Sequence, residues 1–282
     1  SQDGRELDEA ETIKRIKAAL TSNQREIELP VKTIAPQVRT EDADKLGIKE
    51  LAATGTTVFK GSSAERVHNI VVAADQFHGI VVPPGAEFSF NQYLGEVVEA
   101  TGYELGLIIL GDQTAVGIGG GVCQVSTTAF RAAFFGGYPI TQRWAHGYAV
   151  RWYEPPVGLD ATVFAPQVDL RFVNDTPNYL LIDSSYDLKA GTLTFNFYGT
   201  KQNRTVEMEG PIIANVQPAP PPIYEEDPTL KKGVTKQVDF AKEGLDVTIT
   251  RIVKEGETVI RRDRFVSRYR PWAARYLVGT RP

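Results

Sequence analysis

The chain has 282 residues, 42% hydrophobic and 23% charged, with a formal net charge of −4 and a pI of about 5.6. This is globular composition with apolar content for a sizeable core, and the length suggests two domains with a fragment of a third. No basic block or stripe is present, which excludes the electrostatic footprint of a nucleic-acid binder. No apolar run approaches the roughly 20 residues that span a bilayer. The single cysteine, Cys123, excludes an intrachain disulfide framework and a multi-cysteine zinc site. The chain opens on Ser1 and its one methionine is Met208, so a natural start, signal or membrane anchor is expected to have been removed.

Leu7, Ala10, Ile13, Ile16 and Leu20 share one face of a helix. A β segment follows over Asn23–Gln37, where Ile27, Leu29 and Val31 alternate with charged residues. These elements are too few for an independent domain, so residues 1–42 read as the tail of a truncated one. Thr40 is placed to cap a short helix, Thr54–Phe59 reads as a strand, and Ser62 or Ser63 caps a stronger helix that stops at Gly79. Pro83-Pro84-Gly85 is a turn before the short strand Glu87–Phe90. Val122, Val125, Ala129, Ala132 and Ala133 then form a helical stripe, entered from Gly119-Gly120-Gly121 and closed by Gly136-Gly137. Strands are expected over Arg143–Tyr153, Ala161–Phe164, Asp169–Val173, Tyr179–Asp183 and Leu193–Tyr198. Residues 211–230 are proline-rich and read as an extended linker, leaving 231–282 as a small, separate β-rich module. The fold class is therefore α+β: a central domain over 43–210, in which the cysteine-bearing helix packs on an antiparallel sheet, plus that module.

Cys123 lies in the first turn of its helix. Unpaired amides and the helix dipole there favour a thiolate. Gly120 and Gly121 let backbone approach a substrate, and nearby amides can hold an oxyanion. Pattern alone leaves a structural turn with a buried thiol as an equal reading. A thiol nucleophile needs a base, and His146 is the candidate, on a later β segment. Asp160 can orient it as a third member or simply form a turn after Pro155-Pro156. Arg66 and Asn69, at i, i+3, can hold a carboxylate or peptide carbonyl, or can form a solvated helix face. Gln124, Ser126 and Thr127 complete the candidate substrate-binding set, although helix hydroxyls ordinarily bond backbone. His68 and His78 project about 80° apart on their helix, and no carboxylate cluster joins them, so no metal and no cofactor is expected.

The run Gly119-Gly-Gly-Val-Cys-Gln-Val-Ser-Thr-Thr128 resembles the signature of the VanW-like domain of bacterial cell-envelope proteins. The resemblance extends through Arg66–Ile70, Val82–Asn91, His146, Gly158–Ala161 and Phe172–Pro177, and covers roughly residues 50 to 200. Residues 1–42 resemble the tail of a peptidoglycan-binding domain that often precedes it. The last 70 or so residues resemble, more weakly, the β module called G-five. Two departures, Ala129-Phe130 after the threonines and Gly147 after the histidine, bear on substrate fit and remove no proposed catalytic group.

The family is named for its presence in glycopeptide-resistance gene clusters, and some members are regarded as L,D-transpeptidases. The resemblance implies a Cys123 acyl-enzyme, His146 as acid and base, Asp160 as its orienter, and Arg66, Asn69 and Asn91 as substrate contacts. It implies peptidoglycan stem peptides as partners and an extracytoplasmic location, with membrane attachment only through a missing N-terminal anchor. A monomer is expected, without nucleic acid. The competing reading is a non-catalytic peptidoglycan-binding or scaffolding protein of the cell envelope.

Overall fold

A computed structural model describes every residue except 37, 111 and 112. The chain divides into two compact units, Ser1–Gly47 and Ile48–Pro282. In the first, strands β1 (Gly4–Leu7) and β2 (Val31–Ile34) pair antiparallel around helix α1 (Glu9–Leu20), whose N-terminus is capped by the Asp8 carboxylate. Among the described residues of the expected Asn23–Gln37 β segment, Val31–Ile34 form the strand, and Gln37 lies outside the described residues. Thr40–Lys45 is a 3₁₀ turn preceded by Arg39, with no side-chain cap from Thr40.

The second unit begins with β3 (Glu50–Val58), α2 (Ala64–Asp75), β4 (Ile80–Val82), β5 (Glu87–Ser89) and the short α3 (Phe90–Leu94). The Ser63 hydroxyl caps α2. A hairpin of β6 (Leu105–Leu110) and β7 (Gln113–Ile118) leads into α4 (Val122–Phe135). Then come β8 (Ile140–Gln142), β9 (Arg171–Val173), β10 (Leu180–Asp187) and β11 (Thr192–Gly199). The antiparallel sheet β3-β11-β10-β4 is the platform for α2 and α4, and β5-β9-β8 is a smaller sheet. Helices set against antiparallel sheets make the fold α+β.

The expected strand over Arg143–Tyr153 is not regular. Trp144 makes an isolated bridge to Thr162, and Arg151–Tyr153 is a 3₁₀ turn. The backbone groups of this segment are satisfied elsewhere: the His146 amide donates to Asp160 Oδ2 (3.0 Å), and the Gly147 carbonyl accepts from the Arg270 amide (2.8 Å). Ala161–Phe164 likewise contributes only single bridges at Thr162 and Phe164.

The proline-rich segment also differs from expectation. Strand β12 runs over Arg204–Gln217 and β13 over Ile223–Lys231, so most of residues 211–230 lies in strands. Both strands are edges of three-stranded sheets. Edge positions accept Pro211 and Pro228 because one side of the backbone has no ladder to lose. The sheets are completed by β14 (Thr235–Asp239), β15 (Gly244–Glu255), β16 (Thr258–Tyr269) and β17 (Arg275–Arg281), in the orders β12-β15-β16 and β13-β17-β14.

These C-terminal strands are not packed as a separate body. Val247, Ile249 and Tyr269 belong to the same buried cluster as Val125, Phe130 and Phe134 of α4. Arg251 of β15 is fully buried and donates to the carbonyls of Ala133, Phe134 and Tyr138 at the C-terminal end of α4, while pairing with Asp263 at 2.6 Å. The Ala133 and Phe134 carbonyls also accept from the Tyr138 and Gly137 amides, and a guanidinium there adds a charged donor that complements the negative end of the helix dipole.

Helix α4 also lies directly on β3. A Cβ added at Gly55 would meet the Ala132 nitrogen at 2.3 Å and the Thr128 carbonyl oxygen at 2.6 Å, both backbone atoms. The hydroxyls of Thr57 and Thr128 bond at 2.7 Å beside this contact. Gly55→Ala is therefore expected to push helix from sheet and to destabilise the unit by about 1–3 kcal/mol. Urea denaturation of parent and variant measures this; equal midpoints would contradict the close approach.

Candidate functional site: a thiol, an imidazole and a buried carboxylate

Helix α4 starts at Val122, with Gly121 as its N-cap at φ 121°. No side chain caps this end. The Val122 and Gln124 amides donate to the carbonyls of Gly119 and Gly121, whereas among the described residues the Cys123 amide donates to no carbonyl. A free amide next to the sulfur is a donor for developing negative charge.

The glycine turn has a different primary role from the one expected. A Cβ on Gly120 would lie 2.6 Å from the Leu107 carbonyl oxygen, and one on Gly121 would lie 2.9 Å from the Arg66 carbonyl oxygen. Gly120 and Gly121 are thus required by the close passage of the β6–β7 hairpin and of α2.

Cys123 is half-buried. Its sulfur lies 3.4 Å from the Thr162 hydroxyl and donates to the Val163 carbonyl at 3.6 Å. The His146 imidazole interacts with the same sulfur. On the other side of the ring, Nδ1 bonds Asp160 Oδ2 at 2.5 Å. Cys123, His146 and Asp160 are thus brought together in that order, although they come from a helix, an irregular segment and a loop. His146 and Asp160 are 5% and 3% exposed, so their interaction is shielded from water.

Burial alone would raise the thiol pKa, but the His146 ring and the Thr162 hydroxyl outweigh it and bring Cys123 down to about 7. Burial likewise opposes charge on His146, yet Asp160 and Cys123 together push its pKa up to about 9. Burial would favour a neutral Asp160, but His146, Arg143 and Tyr269 hold it well below the usual carboxylate range. Between about pH 7 and 9 these directions favour a thiolate–imidazolium pair over a neutral one.

Several residues of the site carry no signal that the sequence reading used. Arg143, its side chain 5% exposed, donates to Asp160 Oδ1 at 3.0 Å, to the Asp160 and Gly158 carbonyls, and to Ser267. The Tyr269 hydroxyl also donates to Asp160 Oδ1. Arg131 ties α4 to the carbonyls of Leu159 and Tyr153, and the Tyr153 ring lies 5.0 Å from that of His146. An arginine immediately before Trp-Ala-His was the one local cue; nothing in the local sequence points to Tyr269.

Other expected substrate contacts are corrected. Asn69 is fully buried and spends its amide on the Glu104 and Gly120 carbonyls and its carbonyl on the Glu104 amide, fastening the glycine turn to α2. Ser126 and Thr127 are fully buried and both donate to the Ala161 carbonyl, which sets the loop carrying Asp160 against α4. Asn91 donates to Val168 and Asp169, a hydrogen-bond set that shares no member with the thiol. Gln124 is fully buried between Thr57 and Arg66. Arg66, held by Gln124 at 2.6 Å and by Ser62, lies over the Trp152 ring at 4.7 Å and keeps its charge near Cys123. Arg66 is the expected contact whose charge interacts with Cys123. Among the described residues no group of three or more histidine, cysteine, aspartate or glutamate side chains is arranged to hold a metal.

Residues 65–198 match the family model described as VanW like protein. This region is a VanW-like domain. The chain is 38% identical over 156 residues to the protein YoaR of Bacillus subtilis, covering 55% of this chain and 50% of YoaR. It is 31% identical over 116 residues to the vancomycin B-type resistance protein VanW of Enterococcus faecalis, covering 39% of this chain and 42% of VanW. The chain thus matches about half the length of these curated relatives or less. The G5 domain structure of an IgA1 protease is also similar, at 21% identity over 30% of this chain and 100% of that domain, with a TM-score of 0.18. That score is too low to establish a shared fold. Cys123, His146 and Asp160 all fall inside the VanW-like domain, while Ser267 and Tyr269 fall beyond its matched residues.

The lowered thiol pKa has a direct readout. The rate of Cys123 alkylation by iodoacetamide should rise with pH as the thiolate forms, reaching half its plateau near pH 7. In His146→Ala the midpoint should move up toward the ordinary thiol range, at about 8.5. Coincident profiles for the two proteins would show that the imidazole does not support the thiolate.

Proposed function

We propose that the protein is a cysteine acyltransferase of the bacterial cell envelope: a peptidoglycan L,D-transpeptidase that forms stem-peptide cross-links through a Cys123 acyl-enzyme. The observation that carries this reading is a buried carboxylate holding one nitrogen of an imidazole whose electrostatic interaction with a helix-start thiol lowers the thiol pKa. Such an arrangement makes a nucleophile near neutral pH and stores a proton beside it.

In the first half-reaction the Cys123 thiolate attacks the carbonyl carbon of a diaminoacyl residue in a donor stem. The Cys123 amide donates to the oxyanion. The His146 imidazolium gives its proton to the departing nitrogen, the C–N bond breaks, and the terminal D-amino acid leaves as a free amine. Cys123 is then a thioester and His146 is neutral. In the second half-reaction the amine of a neighbouring stem attacks the thioester carbonyl. His146 accepts its proton, a new amide forms, and the thiolate returns. Asp160 holds the ring tautomer with Nδ1 protonated, so that the other nitrogen faces the sulfur. With water as acceptor the same site would be an L,D-carboxypeptidase or endopeptidase. Arg66 is the remaining candidate for a substrate carboxylate or carbonyl.

This reading implies peptidoglycan stem peptides as the partner and an extracytoplasmic location. The name of the Enterococcus relative, a vancomycin resistance protein, agrees with work at the cell wall. One observation favours the non-catalytic alternative, a wall-binding scaffold. The sulfur is packed against the hydrophobic core and donates to a backbone carbonyl, as a structural thiol does.

Incubation with defined muropeptides and mass spectrometry decides between them. The parent protein should release the terminal D-amino acid and form cross-linked dimers, with a Cys123-linked acyl adduct on rapid quenching. Cys123→Ala should abolish all three, a loss of at least about 10³-fold. Identical product patterns from parent and variant would leave only the scaffold.

A further inference from the structure

The Asp160 carboxylate has its two oxygens divided between two jobs. Oδ2 faces the reaction centre, accepting from the His146 ring and from the His146 backbone amide at 3.0 Å. Oδ1 faces away and accepts from Arg143 at 3.0 Å and from the Tyr269 hydroxyl. Tyr269 is 5% exposed and is the last residue of β16. Two positions earlier on the same strand, Ser267 is 1% exposed and accepts from Arg143 at 2.9 Å. Strand β16 therefore delivers two buried hydroxyls, on one face of the sheet, to the back of the site. Gly147, the residue after the histidine, is tied to the same strand's continuation by the Arg270 amide.

We infer that Tyr269 is a positioning residue of the thiol site: its hydroxyl fixes the Asp160 carboxylate, and through it the His146 ring against Cys123, so the site is completed by a strand outside the VanW-like domain. This rests on the Cys123–His146–Asp160 reading proposed above. A carboxylate can rotate about its Cβ–Cγ bond, and each rotation changes which lone pair meets the imidazole. Two donors on Oδ1 from different directions stop that rotation. Arg143 alone cannot do so, because its guanidinium also serves the Gly158 and Asp160 carbonyls and is itself held in place by Ser267. The other groups near Asp160 leave the task to Tyr269. Arg131 is engaged with the Leu159 and Tyr153 carbonyls, and the Tyr153 ring stands beside His146. Packing alone would be met by phenylalanine at 269, whereas a buried hydroxyl is costly unless its hydrogen bond is used.

The test uses the full chain and needs no substrate. Iodoacetamide labelling of Cys123 is followed from about pH 5 to 10 in the parent, Tyr269→Phe, Asp160→Asn and the double variant. Tyr269→Phe keeps the ring and removes one oxygen, and thermal denaturation confirms that it is folded. Its labelling midpoint should rise by about half a unit to one unit, a roughly three- to tenfold slower reaction on the acid side. The shift should vanish in the Asp160→Asn background, since Tyr269 acts through that carboxylate. Arg268→Gln, an exposed neighbour on β16, should leave the profile in place. A midpoint in Tyr269→Phe that is unchanged or lowered, or a shift that persists without the Asp160 charge, overturns the inference. A parent profile like that of a free thiol would instead sink the underlying site reading, and the two failures are thereby distinct.

Discussion

The structure turns on one buried charge. Asp160 is 3% exposed, and an ionised carboxylate in such a place costs several kcal/mol of lost hydration unless its lone pairs are occupied. Here they are, by His146, Arg143 and Tyr269. Those partners come from an irregular segment after β8 and from β16, and the loop holding Asp160 is clamped to α4 by Ser126 and Thr127. Compensation of this charge therefore dictates that four remote parts of the chain meet. It also explains why the segment around His146 gives up regular pairing: its backbone amide is needed by the carboxylate.

The helix bearing Cys123 is fixed by complementary means at its two ends. At the start, small residues allow the hairpin β6–β7 and α2 to close around the turn, and Asn69 stitches them together. At the finish, Arg251 bonds the carbonyls of Ala133, Phe134 and Tyr138. Between them, Gly55 lets the sheet come into backbone contact. The thiol thus sits at the start of a firmly held element, against the Thr162 hydroxyl and the Val163 carbonyl.

Much of this was legible in the residues. The helical stripe from Val122, the Ser63 cap and the alternation in Leu193–Tyr198 each reflect local periodicity, and each appears as an element. The partnership of Cys123 with His146 and Asp160 followed from chemical need, because an activated thiol requires a base and a base requires an orienter. What could not be read was whatever depends on distant partners. Ser126 and Thr127 look like site residues because they follow the cysteine in sequence, and Asn69 because it shares a helix face with Arg66, yet their polar atoms satisfy buried carbonyls. The β6–β7 hairpin was missed, since its mixture of glycine and apolar residues has no clean alternation. Arg251 and Tyr269 lie in strands whose pattern resembles any half-buried sheet. The proline-rich stretch suggested a free connector because the edge of a sheet and an extended linker impose the same demands on backbone.

The clamp on the far end of α4 has a mechanical consequence. A guanidinium bonded to the main-chain oxygens of Ala133, Phe134 and Tyr138, and to Asp263, anchors the end of the helix and the turn after it to the C-terminal sheet. The sulfur at the other end of that helix is held just as directly, between the Thr162 hydroxyl and the Val163 carbonyl, so the two ends of α4 are tethered to different parts of the chain.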